Sequence, residues 1–295
     1  MFKLSIVIPT YNRRASIIHV LELLKKQEVG GIDPAIIVVV DGSGDGTREA
    51  IRCHYPEVTL IEGDGNWWWT RSVNEGCKMA VKNHADAVLL LNDDIEFHRG
   101  YLQNLLNAAE KEPAAIIGSL NLTGETKRRI YFSGAKKLRW WDGKLQKYHP
   151  FLAPHREMLS GLHHSIVLPG RGLLIPTTAF DAIGYFNEKA LPQYKADYEF
   201  VLRANKHRLP TLISWDSVIY VQVQSTGAGA TFTKQGFFTF FCSLFKKHSR
   251  TNLFRNFLYY KTVYPAWALP LFPFTALMVT ARQFMQFLKD KKFAI

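Results

Sequence analysis

Residues 4–8 form an uninterrupted apolar, β-prone run closed by Pro9, and Thr10, Tyr11 and Asn12 follow as a loop. Over 15–27 the pattern changes to helical spacing, with Ile17, Ile18, Leu21 and Leu24 on one face. The alternation then repeats. Residues 36–40 predict a second strand with a helix starting near Arg48, and 58–61 predict a third with a helix starting near Thr70. From Ala87 to Leu91 every position is apolar, which marks a strand covered on both faces. Strands separated by helices imply a parallel sheet with right-handed crossovers, an α/β fold.

The last of these strands runs straight into Asn92, Asp93 and Asp94, which burial alone does not explain. Open α/β sheets bind ligands outside the carboxyl ends of their strands. Two carboxylates and an amide at such a place suit a hard divalent cation. A solvated strand-end turn is the alternative for the triplet by itself. The run from Asp41 to Thr47, with Gly42, Gly44 and Gly46, is a second candidate. Its small residues let backbone N–H groups approach a ligand, and Asp45 or Thr47 can cap the next helix; a tight strand-to-helix turn uses the same residues.

At 295 residues and 47% apolar composition the chain can bury a full core, enough for one large domain and an appendage. The formal charge of +12 suggests nucleic acid until its distribution is considered. Residues 233–295 hold ten Lys/Arg against Asp290 alone, so they carry +9 of it, and they hold 16 of the 39 aromatic residues. Basic, aromatic and apolar together, this segment points to an anionic membrane surface and away from DNA or RNA. Cys53, Cys77 and Cys242 have no paired spacing, which argues against disulfides and a zinc site and for a reducing cytoplasm. The first apolar stretch is too short for a signal peptide.

Taken in order, the run from Val7 to Asn12, the run from Val40 to Thr47, Asn92-Asp93-Asp94, Gly170-Arg171-Gly172, the run from Gly184 to Glu188 and the run from Asp197 to Arg203 resemble the family 2 inverting glycosyltransferases of the GT-A fold. Within that family, Gly65 to Trp68 with Asn74-Glu75-Gly76 is similar to bacterial rhamnosyltransferase-like members that build surface polysaccharides. The resemblance spans about 3–227 and implies a mixed, mainly parallel sheet flanked by helices over 1–230; residues 231–295 are read from their own composition as a helical, membrane-associating extension. It implies that Pro9, Thr10, Tyr11, Asn12 and Asp41 surround the nucleobase and ribose of a nucleotide-sugar donor, with Asn66, Trp67, Arg71, Asn92 and Asp93 also on the donor. Gly170, Arg171 and Gly172 would floor the donor sugar, and Asp94 would hold Mg²⁺ or Mn²⁺. Asp197 would be the base that deprotonates the acceptor hydroxyl, with Tyr185, Glu188, Gln193 and Glu199 on the acceptor side. Three positions depart from the family pattern: Asn92 stands for the first acid of the metal motif, Ala196 precedes the base, and glutamines at 222 and 224 stand where a metal-assisting His is expected. Arg71 can instead be a solvated helix-face residue, and Trp67 to Trp69 can pack rather than stack on ligand.

Residues 262–281 carry no charge and are long enough to cross a bilayer, but Pro265, Pro270 and Pro273 argue against a straight span. A broken, interfacial segment, helped by a helix-like run over 237–260 and by Lys289, Lys291 and Lys292, is the expectation; a helical subdomain packed on the core is the alternative. The reading is an inverting glycosyltransferase on the inner face of the cell membrane, moving sugar from dTDP-rhamnose or a UDP-sugar to a glycan or lipid-linked acceptor of lipopolysaccharide or capsule. The alternative is a non-catalytic nucleotide-sugar-binding partner.

Overall fold

The structure is a computed structural model, and it describes residues 2–123, 128–156, 158–222, 241–246, 248, 249 and 251–292, the side chains of 283 and 286–292 excepted. The first half alternates as its pattern predicts: β1 (Leu4–Thr10), α1 (Arg14–Lys25), β2 (Ala35–Asp41), α2 (Thr47–His54), β3 (Thr59–Gly63), α3 (Trp68–Lys82) and β4 (Ala87–Leu90). Then come β5 (Ile95–Phe97), α4 (Tyr101–Lys111), β6 (Ile116–Thr123), β7 (Arg129–Phe132), β8 (Ala135–Leu138), β9 (Leu145–Lys147), β10 (Leu162–His164) and β11 (Leu173–Pro176). α5 (Thr177–Ile183), α6 (Ala196–Lys206) and β12 (Thr211–Val221) complete the domain.

The main sheet is ordered β10-β12-β6-β11-β4-β1-β2-β3, with β5 on β12 and β7 on β6. β3, β2, β1 and β4 run parallel; antiparallel β11 joins them to β6, which therefore points the same way as they do, as does its parallel neighbour β12. The chain leaves β1 for β2 and β3 on one side and returns to β4 on the other. That reversal opens a crevice at the carboxyl ends of β1 and β4, where open sheets of this kind place their ligands.

Side-chain alternation splits the core into two layers. Ile6, Ile8, Val38, Val40 and Leu89 meet α1 and α4 on one face, while Val7, Ile37, Val39 and Leu90 meet α3 and α6 on the other. α3 lies close on β1 because Gly76 faces the strand: a Cβ there would come within 2.3 Å of Val7 Cγ1.

Pro9 and Thr10, expected to close the strand and start a loop, are its last two residues, paired in register with Val39 and Val40. The ladder to β4 has ended at Val7 by then, so a residue without N–H is tolerated there. The run expected over 237–260 is not one helix: 237–240, 247 and 250 lie outside the described residues, and 244–246, 248, 249, 251 and 252 are irregular before the helix Leu253–Val263. Beyond that helix the prolines interrupt the chain. Pro265 precedes a 3-10 segment, Ala266–Leu271, Pro270 lies in it, and Pro273 occupies the first turn of the helix Phe272–Lys292. No helix among the described residues is long and apolar enough to cross a membrane. Tyr259, Tyr260, Val263, Tyr264 and Ala268 are buried in the same cluster as α6, so this part packs on the domain.

Candidate active site

The carboxyl end of β1 delivers Thr10 to the acidic turn. Its hydroxyl donates to Asp93 Oδ2 at 2.7 Å, with both residues buried. Arg13, in the loop after β1, donates to Asp93 Oδ1 at 3.0 Å and lies 3.5 Å from Asp94 Oδ2. Burial pushes the Asp93 carboxyl above its ordinary range, against the pull of Arg13 and Thr10. For Arg13 burial works the other way, but Asp93 and Asp94 outweigh it and hold the guanidinium above its usual value. Asp94 Oδ1 is buried with no hydrogen-bond partner among the described residues. A buried carboxylate oxygen without a donor is costly, and it is the one atom of the turn that asks for a cation.

Beside this turn the loop carrying Tyr11 and Asn12 is laced to the glycine-rich loop. Asn12 donates its N–H to Ser43 Oγ at 2.9 Å and accepts from the Gly44 N–H at 2.8 Å, while the Tyr11 ring stays exposed. Asp41, expected on the nucleobase or ribose, also has contacts inside the fold. Its carboxylate accepts from the backbone N–H groups of Gly65, Trp67 and Trp68 at 2.8, 3.0 and 2.9 Å. It is therefore the organiser of the loop that starts α3, because three N–H groups at a helix entry need an acceptor. Asn66 is exposed on that loop, and Arg71 rests its guanidinium 4.7 Å from the Trp67 ring.

Trp69 joins the acidic turn to the opposite wall. Its indole N–H donates to Asn92 Oδ1 at 3.2 Å and its backbone N–H to Gln193 Oε1 at 2.9 Å. Its ring lies against Gly170, where a Cβ would fall 2.3 Å from Trp69 Cζ2. Gly170 in turn donates its N–H to Asp197 Oδ2 at 2.9 Å, and Asp197 Oδ1 accepts from the Tyr198 N–H. Asp197 stands in the first turn of α6, where helix N–H groups are left over. Burial pushes its carboxyl above the ordinary range; the Gly170 and Tyr198 N–H groups and the Arg171 charge oppose this. Arg171 Nη1 is itself buried and without a hydrogen-bond partner among the described residues.

Of the residues expected to meet an acceptor, Glu188 accepts from Asn74 Nδ2 at 2.7 Å and Tyr185 is stacked on Phe180. Glu199, expected there too, is engaged inside the fold. It is buried and paired with Arg203 at 2.9 Å, and Arg203 donates to the carbonyls of Ile183 and Tyr185. Four residues apart on α6, the pair fixes the Tyr185 loop.

Among the described residues no group of three His, Cys, Asp or Glu is arranged to hold a metal. Gln222 sends its side-chain amide to Glu96 at 3.0 Å, and 223–227, including the second glutamine expected near the metal, lie outside the described residues. A single carboxylate still fits Mg²⁺ or Mn²⁺ of the kind that keeps waters and takes substrate phosphates; the unsatisfied Asp94 Oδ1 is the atom that would hold it.

Arg13 and Lys195 are the residues that pattern reading missed. Arg13 directly follows the Thr10-Tyr11-Asn12 run, which is its only sequence signal. Lys195 precedes α6 with φ +68° and lays its ammonium 4.9 Å from the Tyr259 ring, tying the helix Leu253–Val263 to the segment that carries Asp197.

This architecture is that of solved glycosyltransferases of the GT-A type. It superposes on GalNAc-T7 with UDP, GalNAc and Mn²⁺ at a TM-score of 0.60 and 13% identity, covering 75% of this chain and 44% of that one, so the likeness spans less than half of the larger protein. It superposes on the mannosyltransferase PcManGT of Pyrobaculum calidifontis, in complex with GDP-Man and Mn²⁺, at 0.56 and 14% identity, covering 99% of this chain and 82% of that one. Residues 5–160 match the model of glycosyl transferase family 2, and the chain belongs to that family. It is 25% identical over 220 residues, 74% of each chain, to the uncharacterized glycosyltransferase YwdF of Bacillus subtilis (strain 168). It is 27% identical over 162 residues to the uncharacterized glycosyltransferase MG060 homolog of Mycoplasma pneumoniae, spanning 52% of that relative's length.

Proposed function

We propose that the protein is an inverting glycosyltransferase that moves a sugar from a nucleotide diphosphate to an acceptor hydroxyl. The observation that carries this is the Trp69 bridge: one side chain touches Asn92 of the acidic turn and Gly170, whose N–H holds Asp197. This continuity supports a reading in which the donor diphosphate and the base share one crevice. Asp197 takes the proton of the acceptor hydroxyl, whose oxygen attacks the anomeric carbon opposite the leaving nucleotide diphosphate. The bond to the diphosphate oxygen breaks as the new glycosidic bond forms, and the anomer is inverted. A carboxyl raised by burial is a stronger base once ionised, which suits that task. Held at Asp94, Mg²⁺ or Mn²⁺ would neutralise charge building on the departing diphosphate. Arg13 holds Asp93 and the other face of Asp94 in place.

The neighbours of similar fold carry UDP or GDP-linked sugars with Mn²⁺. Together with the Gly65 to Trp68 and Asn74 to Gly76 motifs, they make UDP-sugars and dTDP-rhamnose the donors to test first, for a rhamnosyltransferase-like enzyme of lipopolysaccharide or capsule synthesis. A place on the inner face of the membrane is supported by Trp267, Phe274 and Leu277, each more than half exposed on the C-terminal segment. Thermal shift with a nucleotide-sugar panel, with and without Mn²⁺, tests the reading. A metal-dependent shift for one nucleotide series, and release of that nucleotide diphosphate on turnover, is the expected result; binding without turnover in the presence of acceptor overturns it in favour of a non-catalytic partner.

A further inference from the structure

The run that leads into Asp197 is tied down almost residue by residue. The carbonyls of Lys189 and Ala190 both accept from Arg255 Nη1. The Leu191 carbonyl accepts from the Thr70 hydroxyl at 2.6 Å, and the Pro192 carbonyl from the Thr70 N–H at 3.1 Å. Gln193 Oε1 takes the backbone N–H of Trp69, and the Lys195 ammonium donates to Asn256 Oδ1. The run 189–195 is thus strung between the first turn of α3 and the first turn of the helix Leu253–Val263, and Asp197 follows two residues later. Asn252 caps that helix, its Oδ1 accepting from the Arg255 N–H at 2.7 Å, which fixes where Arg255 and Asn256 stand. Asn256 is itself buried, a place where an amide is stable only with a partner.

Two residues of the crevice hold backbone conformations that side chains disfavour, and the same C-terminal segment meets both. Trp68 has φ +58° and Lys195 has φ +68°. A left-handed backbone at a residue with a Cβ persists where its surroundings over-determine it. The Trp68 N–H is held by Asp41, and its ring lies face to face with His248, with centroids 3.6 Å apart and planes 6° apart. Lys195 is held by Asn256 and by the rings of Tyr259 and Tyr260, 4.9 and 5.4 Å from its ammonium. Trp68 belongs to the loop that starts α3, and Lys195 precedes the helix of Asp197. The C-terminal segment therefore fastens both of the walls that Trp69 bridges.

We propose that Arg255 and Asn256 are positioning residues of the transfer reaction: through the carbonyls of Lys189 and Ala190 and through Lys195 they set Asp197 against Gly170 and the Trp69 bridge. The proposal rests on the glycosyltransferase reading and deepens it, because it brings the C-terminal segment into the working site. Placement is what such a device contributes, since an error of about 1 Å at a reacting group costs about 10²-fold in rate. A helix that merely packed on the domain would add stability without setting that distance.

Three amides report whether the walls stay together: Trp69 N–H on Gln193, Thr70 N–H on Pro192 and Gly170 N–H on Asp197. Their hydrogen exchange is read by NMR in the full-length protein, for the wild type, Asn256→Ala and Asn256→Asp, the last of which keeps an acceptor for Lys195. In Asn256→Ala the three are expected to exchange about tenfold faster, the worth of one hydrogen bond to a charged group, and in Asn256→Asp to return to the wild-type rate. Leu91, whose N–H is bonded to the Val7 carbonyl within the sheet, should not change. Release of UDP from UDP-glucose, or of dTDP from dTDP-rhamnose, with water as the acceptor, should fall about tenfold in Asn256→Ala and recover in Asn256→Asp, donor affinity staying within about twofold. Reporters that keep the wild-type rate, equally faster exchange at Leu91, or a loss of donor affinity in place of turnover overturns the proposal. Arg255→Gln loosens the same run from its other end and carries the test if Asn256→Ala does not fold. Wild-type protein that neither binds nor hydrolyses either nucleotide sugar sinks the transferase reading and the positioning role with it; turnover with unmoved reporters sinks the positioning role alone.

Discussion

Arg13 Nη1 lies 3.0 Å from Asp93 Oδ1 and 3.5 Å from Asp94 Oδ2, so one guanidinium spans both acids of the turn. Two buried carboxylates side by side repel, and Arg13 is the cation that makes the pair tolerable before any ligand arrives. Removing one partner of such a cluster leaves charge uncompensated. With Arg13 a third exposed, Arg13→Gln is expected to destabilise by about 2 kcal/mol, a fall of several degrees in Tm. Millimolar Mn²⁺ should restore part of it in this variant, because the metal supplies the missing charge at Asp94. An unchanged Tm, or a Tm indifferent to Mn²⁺, refutes the role given to the pair.

Asp197→Asn separates chemistry from folding. Loss of a general base costs about 10²- to 10⁴-fold in turnover. The stability effect has the opposite sign. Because burial raises the carboxyl of Asp197 in the folded state, the native protein binds the proton more tightly than the unfolded chain, and this group's contribution falls as pH rises through the raised value. At pH 7.5 the neutral amide should therefore leave Tm equal or higher. Calorimetry of the variant decides it, a lower Tm meaning that the carboxylate is structural.

The same cause predicts a pH profile. An active base must be ionised, so the acid limb of kcat/KM is expected above the ordinary Asp range of about 3.9. Arg171 favours the ionised form, and Arg171→Gln should move the limb further up. A limb that stays put in Arg171→Gln removes Arg171 from contact with the base.

Gly170 and Trp69 leave no room for a methyl group. In Gly170→Ala the new Cβ meets Trp69 Cζ2 at 2.3 Å and Cη2 at 2.6 Å, so the indole must leave Asn92 or the Gly170 N–H must leave Asp197. Overpacking of this kind costs about 1–3 kcal/mol. Trp69→Phe removes the colliding atoms, so the double variant should be less destabilised than the sum of the singles. Additive losses in urea titrations would place the strain elsewhere.

How much of this was legible beforehand differs by the kind of interaction. β1, β2 and β4 are buried on both faces, so Ile6 to Ile8, Ile37 to Val40 and Val88 to Leu90 announce themselves as apolar runs. The acidic turn and Asp197 are legible because they end a strand and open a helix. Arg13 was not, since its pairing with Asp93 joins residues 80 apart and leaves no periodic trace. The contacts that Asp41 and Glu199 make inside the fold were not legible for a related reason: a carboxylate that serves backbone N–H groups or an arginine and one that serves a ligand are the same letter.

The C-terminal segment joins burial to exposure within a few residues. Tyr259, Tyr260, Val263 and Ala268 are buried against the domain, whereas Trp267 is 68%, Phe274 51% and Leu277 66% exposed. Apolar side chains that a domain leaves outside beside Lys and Arg residues are what an anionic bilayer surface takes up. Replacing Trp267, Phe274 and Leu277 together by Ser should abolish flotation with phosphatidylglycerol vesicles, since each buried side chain contributes about 1.5–3 kcal/mol. The fold should survive, because the buried tyrosines are untouched, and Tm reports that directly. Undiminished flotation would show that charge alone, or a different face, meets the membrane; flotation lost at high salt but not in the triple variant would identify charge as the cause.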